Sequence, residues 1–401
     1  MENKNINFLL IGMLFLFQLT GCEKKEEISI TIKNSLNIDR LETIELEASD
    51  FKELIDVYGD DQLVIVNKKT QELLLNQWID LDGDGKNDQW IFQTKIAANA
   101  SLEFEARPLK DGETQPTSSI TTYSRFVPER TDDYTWENDR VAFRTFGPDA
   151  QQRTENNLKG GTLTSGIDAW LKRVEYPIIN KWYKNNLEKP GAYHKDSGEG
   201  YDPYHVGPSR GVGGIGFWVN DSLYTSKNFS AYKTISEGPI RTVFQLDYQP
   251  WDVDGKSISE TKIISLDLGS NLTHFNSSFK VVDNNIPAAG IGLTLHNKKG
   301  KSFINTQKGV FSYIEDIDNE MLGVGIVISP QSIKKAFDNK KEYKDGSHLL
   351  VVTKAEKTVE YYAGFGWGRS KQFNSAEEWN SYLETFAKRI QNPLEIEIYK
   401  Y

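Results

Sequence analysis

Two of the five histidines in this sequence, His194 and His205, fall in a stretch of eighteen residues from Tyr193 to Arg210, with Tyr201, Tyr204, Lys195, Asp196, Glu199 and Asp202. An imidazole changes charge nearest neutral pH, while a tyrosine or arginine beside it adds a proton donor or a fixed positive charge. Proton abstraction next to a carboxylate needs that set: a base, an acid for the departing oxygen, and a cation for the developing charge. An exposed polar loop that carries its histidines by chance is the plainer reading. Upstream, Trp136-Glu137-Asn138-Asp139-Arg140 and Trp170-Leu171-Lys172-Arg173 set indole rings beside cations. Such pairs can stack on a sugar face and hold its carboxylate, and they equally describe a buried ring with charged surface neighbours. His274 and His296 fall on expected strands, where a structural role is the expectation, and His348 opens another.

Three further motifs carry chemistry of their own. Asp80, Asp82, Asp84 and Asp88, with Gly85 at the sixth position, follow the spacing of a calcium loop, but Ile91 stands where a bidentate glutamate belongs. A hairpin turn between Leu73–Ile79 and Gln89–Gln93 is the favoured alternative, with no cofactor and calcium as the minority reading. Gly211-Val212-Gly213-Gly214-Ile215-Gly216 spells a dinucleotide fingerprint, yet a loop precedes it and Phe217-Trp218-Val219 follows as a strand. Without a helix to receive the pyrophosphate, the glycines are expected to let backbone pass close to a ligand or a neighbouring strand. Cys22, the only cysteine, follows a charged start and the apolar run Phe8–Leu16. This is the layout of a lipoprotein export signal: residues 1–21 removed, Cys22 lipidated, and 22–27 left as a charged tether. The expected location is the outer membrane, on its periplasmic or cell-surface leaflet, and thiol catalysis is excluded.

The elements that must position these residues read as β. Ile28–Ile32 and Thr43–Glu47 alternate, and short apolar runs follow at Leu63–Val66, Trp90–Phe92 and Leu102–Glu105. Residues 28–110 are therefore expected to form a β-sandwich unit. Long strands over Arg241–Tyr248, Ser257–Leu268, Thr273–Val282, Ala289–His296, Gly323–Ser329 and His348–Val352 suggest broad packed sheets within 111–401. That region either stands alone or is continuous with 28–110. One long helix is expected after Ser375, which with Glu378 forms a capping box, its stripe of Trp379, Tyr382, Leu383, Phe386 and Ile390 facing the core. Residues 126–239 show few alternations and are expected to carry the site on loops. The fold class is all-β: a large antiparallel sandwich with a C-terminal helix.

Composition narrows the partners. The chain has 401 residues, 47 basic and 57 acidic, for a net charge of −10. With no basic tract, phosphate neutralisation has no source, and nucleic acid is not an expected partner. Aromatic residues at 12% suit either a β core or a sugar-stacking surface.

The motifs DDYTWENDRVAFRTFGP (132–148), GIDAWLKR (166–173), YHKDSGEGYDPYHVGPSRGVGG (193–214) and GPIR (238–241) resemble those of a family of secreted Bacteroidota proteins, domain of unknown function 4861, often found among polysaccharide-degradation proteins. The resemblance extends loosely over most of the mature chain. It implies a galactose-mutarotase-like supersandwich and action on uronate-containing oligosaccharides, in some members as dehydratases of ulvan-type fragments. On that reading Arg210 and Arg140 pair the carboxylate, His194 or His205 is the base, and Tyr193, Tyr201 or Tyr204 protonates the leaving oxygen. Trp136, Glu137, Trp170, Lys172 and Glu199 would line the sugar. A lyase, a glycoside hydrolase using Glu137 with Glu199, and a non-catalytic glycan-binding lipoprotein are the rivals.

Overall fold

In the computed structural model, which describes residues 27–282 and 285–400, the named strands all pair antiparallel and form five sheets. The export signal and Cys22 lie outside the described residues. The all-β sandwich with a C-terminal helix is the architecture the alternation predicts.

Three layers of structure decide where a site can form. The middle layer is an eight-stranded sheet running, in spatial order, Ala231–Ser236, Arg241–Val253, Lys256–Asp267, Leu272–Val281, Thr358–Trp367, Glu320–Val327, Val310–Ile317 and Lys301–Asn305. Its inner face carries Phe244, Leu246, Phe275, Tyr361 and Phe365 into one large core. Two five-stranded sheets cover that face, one containing Val212–Val219 and Ala289–Thr294, the other Asp133–Glu137, Ala142–Thr145 and Asp168–Lys172.

The outer face of the middle sheet is covered in two pieces. The helix Ala376–Ile390 seats Trp379 and Leu383 against Leu272, Val310 and Val327. Sheet glycines make the seat: a Cβ at Gly323 would lie 2.5 Å from the Trp379 ring, and one at Gly366 2.7 Å. The Ser375 hydroxyl accepts from the Glu378 amide at 3.3 Å, while Glu378 returns its carboxylate to the Asn374 amide. The second cover is the N-terminal unit, two sheets around Ile30, Ile44, Phe51, Ile65, Trp90 and Phe104. Its Ile79 and Ile91 pack on Ile240 and Val243 of the middle sheet. Gln77 fixes the junction like an extra ladder rung, accepting from the amides of Ile240 and Arg241 at 3.0 and 2.9 Å and donating to the Arg241 carbonyl at 2.7 Å. Gly238 leaves room for it, since a Cβ there would sit 2.3 Å from Gln77. The final strand, Glu395–Tyr399, returns to pair with Ile28–Lys33, so both ends of the described chain share one sheet.

Residues 126–239 depart from the loop-rich expectation. They include strands such as Asp133–Glu137 and Asp168–Lys172, every residue of which is buried. A strand covered on both faces has no polar face to alternate, so the period-two signal vanishes. The glycine run is a strand, Val212–Val219, with Gly211 at φ +57° and Gly213 at φ +88°. A Cβ on Gly211 would stand 1.8 Å from the Ile167 carbonyl oxygen, so close strand approach explains these glycines.

Candidate functional site

The eighteen-residue loop divides into an exposed rim and a buried root. At the rim, His194 is more than half exposed, its Nδ1 2.7 Å from the Asp202 carbonyl oxygen. His205 is equally exposed and pairs through Nε2 with Asp345 at 3.1 Å. Beneath them Arg144 ties together Asp168, Asp202 (3.0 Å) and Asp133 (3.7 Å), all buried. Burial pushes the Asp133 carboxyl up to about 6 against the pull of Arg144, and raises Asp202 further because Asp168 adds its own negative charge. Tyr193 roofs this cluster, its hydroxyl within 3.2 Å of Arg130 Nε and 3.4 Å of an Arg144 amine.

Several residues expected to meet sugar are structural instead. Trp136, Trp170, Glu137 and Lys172 are wholly buried. Lys172 Nζ lies 2.8 Å from Glu137, whose other contacts are the amides of Ile178 and Ile179, each at 2.9 Å, at the start of the helix Ile179–Glu188. A pair with both partners saturated inside the protein has nothing left for a ligand. Glu199 is likewise consumed by Lys181, Tyr176 and Trp182. Tyr201 gives its hydroxyl to Asp318, and Tyr204 packs edge-on to His296 at 4.6 Å. Arg210 is buried, donating to the hydroxyls of Ser165 and Thr164 at 2.9 and 3.0 Å. Desolvation lowers its guanidinium to about 10. It braces the core.

Arg140 alone of the expected residues reaches a large opening. A crevice of about 670 Å³ runs between the N-terminal unit, the outer face of the middle sheet and the C-terminal helix. That volume lies within the range of small-ligand sites, about 300–1,000 Å³. On the sheet, His274 and Tyr362 are cross-strand partners whose rings stack at 4.6 Å and 26°. Neither ring nitrogen of His274 nor the Tyr362 hydroxyl has a hydrogen-bond partner among the described residues. Burial lowers the His274 pKa, partly opposed by Glu360, Asp267 and Glu45 and reinforced by Arg241. Burial raises the Tyr362 hydroxyl to about 12. At neutral pH the crevice thus holds a neutral imidazole beside a protonated phenol. Arg140 is about one-third exposed; its guanidinium donates to the Asn271 side-chain oxygen at 3.3 Å and stands 3.9 Å from Asp139.

Residues 32–396 match the family described as Domain of unknown function (DUF4861). The chain belongs to that family. It is 44% identical over 397 residues to "Uncharacterized protein P7" of Formosa agariphila, covering 97% of this chain and 98% of that one. Among solved structures it is similar to a glycosyl hydrolase family 38 protein from Enterococcus faecalis, at TM-score 0.50 and 10% identity over 94% of this chain and 48% of that one. An α-mannosidase from Enterococcus faecalis V583 gives TM-score 0.47 and 9% identity over 93% and 46%. The chain therefore spans about half the length of the solved structures it matches, and the likeness to the first concerns fold alone.

The DUF4861 motifs sort by place. The 132–148 and 238–241 motifs each send an arginine, Arg140 and Arg241, to the crevice, while 132–148, through Asp133 and Arg144, joins 166–173 and 193–214 in the buried cluster and its rim. Sequence reasoning did not single out Tyr362, and it gave a purely structural role to His274. Its signal was present in the alternation that sets His274 and Asn276 opposite Phe275 on one strand, a polar face that is nevertheless covered. In the acidic turn, Asp80 accepts from the amides of Gly83 and Gly85 at 2.6 and 2.9 Å, as the hairpin reading requires. Asp80, Asp82 and Asp88 can bring one oxygen each within 4.8 Å. Lys233 Nζ reaches the Asp82 carbonyl at 3.0 Å and sets a positive charge beside that group.

Proposed function

We propose that this DUF4861 protein is a carbohydrate-active lyase that performs β-elimination on the terminal uronate of an oligosaccharide, most simply as a dehydratase, and that the reaction occurs in the crevice. The observation that carries this reading is His274: a neutral imidazole without a hydrogen-bond partner among the described residues, stacked on a phenol, in an opening that also holds the guanidinium of Arg140, which has no carboxylate closer than 3.9 Å among those residues. Arg140 would pair with the sugar carboxylate and so acidify the adjacent carbon. His274 would accept the α-proton, and Tyr362 would give its proton to the C4 oxygen as that bond breaks. The products are a C4–C5 double bond and, when the leaving group is a free hydroxyl, water. After product release, solvent takes the proton from the imidazolium and returns one to the phenolate, which resets both groups.

The hydrolase alternative loses its residues, since Glu137 is sealed in the core and Glu199 is tied by three donors. The test is incubation of the chain from Glu23 onward with uronate-terminated oligosaccharides, followed by ultraviolet absorbance of the unsaturated uronate and by product mass. Gain of absorbance with loss of one water supports the dehydratase, and gain with shorter fragments means a lyase that cleaves the chain. Fragments with water added and no absorbance would overturn the elimination reading. Retention of glycan without product would leave a binding protein.

A further inference from the structure

Among the charges facing the crevice, the environment of Arg241 is the least expected. Asp267 takes one edge of its guanidinium, with Nε at 2.5 Å and an amine at 2.8 Å, and sits directly opposite it in the strand register. That pairing is complete in itself. The remaining amine of Arg241 nevertheless meets a second carboxylate, Glu45, at 2.8 Å. Glu45 comes from the N-terminal unit, on Arg40–Glu47, where Ile44 and Leu46 point into that unit's core. The two carboxylates differ in setting, since the side chain of Glu45 is 45% exposed and that of Asp267 24%. Both Glu45 and Arg241 line the crevice that holds His274 and Arg140.

We propose that Arg241 is a second reader of the substrate carboxylate and that Glu45 occupies the substrate's place on it until the sugar binds. The inference rests on the reading of the crevice as a uronate site. A glutamate and a uronate present the same chemical group, so one can replace the other on a guanidinium edge without leaving the guanidinium uncompensated. Glu45 is nearly half exposed and meets the shielded Arg241 through one amine, with Gln89 Nε2 a further 3.5 Å contact, so it can exchange, whereas the two-pronged pair to Asp267 holds the arginine in position. Displaced Glu45 returns to water, where its desolvation costs nothing. A neutral sugar brings no charge with which to displace Glu45, so its binding is indifferent to the exchange.

The test uses the chain from Glu23 onward as wild type, Glu45→Gln and Glu45→Ala, titrated calorimetrically with D-glucuronate and, as control, D-glucose. Glu45→Gln keeps the shape and removes the competing charge, and Glu45→Ala removes the contact altogether. Both variants should bind glucuronate about five- to tenfold more tightly than wild type, with glucose binding unchanged. Binding by the variants alone would support the proposal most directly. Wild-type binding with no gain in either variant would overturn the Glu45 role and leave the uronate reading intact. Absence of glucuronate binding in all three proteins would overturn both.

Discussion

At the scale of single residues, burial assigns roles that residue type leaves open. Lys172 is buried and His274 partly so, yet Lys172 is saturated by Glu137 and two carbonyls while the His274 ring makes no hydrogen bond among the described residues. Replacing Lys172 with Met should leave Glu137 charged and unpaired, at a cost of about 3–5 kcal/mol in urea unfolding, with KM unchanged for the molecules that remain folded. Replacing His274 with Asn should lower kcat by about 10²–10⁴ while circular dichroism is preserved. The pH profile follows from the direction of the shift. The folded pKa of His274 lies below 6.5, so the imidazole stays neutral into mildly acid solution, and the acid limb of kcat/KM should fall below pH 6.5. A limb centred above that value would count against His274 as the base.

Among elements, the helix Ala376–Ile390 was legible because it is amphipathic and capped, two local signals that need no tertiary knowledge. Its place was not legible. The glycines at 323, 325 and 366 are scattered along two strands, and only the fold collects them into a seat for Trp379 and Leu383. Trp379→Ala should therefore cost about 3–5 kcal/mol, measured by urea denaturation. Because the same helix walls the crevice with Tyr382 and Phe386, substrate affinity should weaken in parallel. The strands of 132–173 show the opposite case. Charged residues buried in pairs, such as Arg144 with Asp168, make an interior strand read like a loop.

For the whole molecule, the N-terminal unit works as a wall and not as an appendage. Gln77 is laced into the middle sheet, Gln93 donates to the Leu268 carbonyl at 2.9 Å, and Arg389 of the C-terminal helix grips Glu42 at 2.6 Å. With Glu395–Tyr399 completing the N-terminal sheet, neither core can open without breaking contacts that belong to the other. Scanning calorimetry should show one cooperative transition, and two separated peaks would contradict this coupling.

Read alone, the residues determined the sheet-rich class, most long strands, the capped helix, the hairpin at Asp80–Asp88 and a resemblance specific enough to name a family. These are local facts, set by side-chain period, turn chemistry and motif. The tertiary structure alone decided which polar groups stay open. Trp136, Glu137, Trp170 and Lys172 looked like sugar ligands because aromatic and charged types serve a site and a core equally well, and only packing on both faces reveals the second use. His274 looked structural because its partner Tyr362 stands 88 residues away in sequence, and Arg140, Arg241 and Glu45 reach the same crevice from three other strand ends and faces. Convergence of distant residues costs chain entropy that only the assembled sheets repay, so it leaves no local trace for a sequence to display.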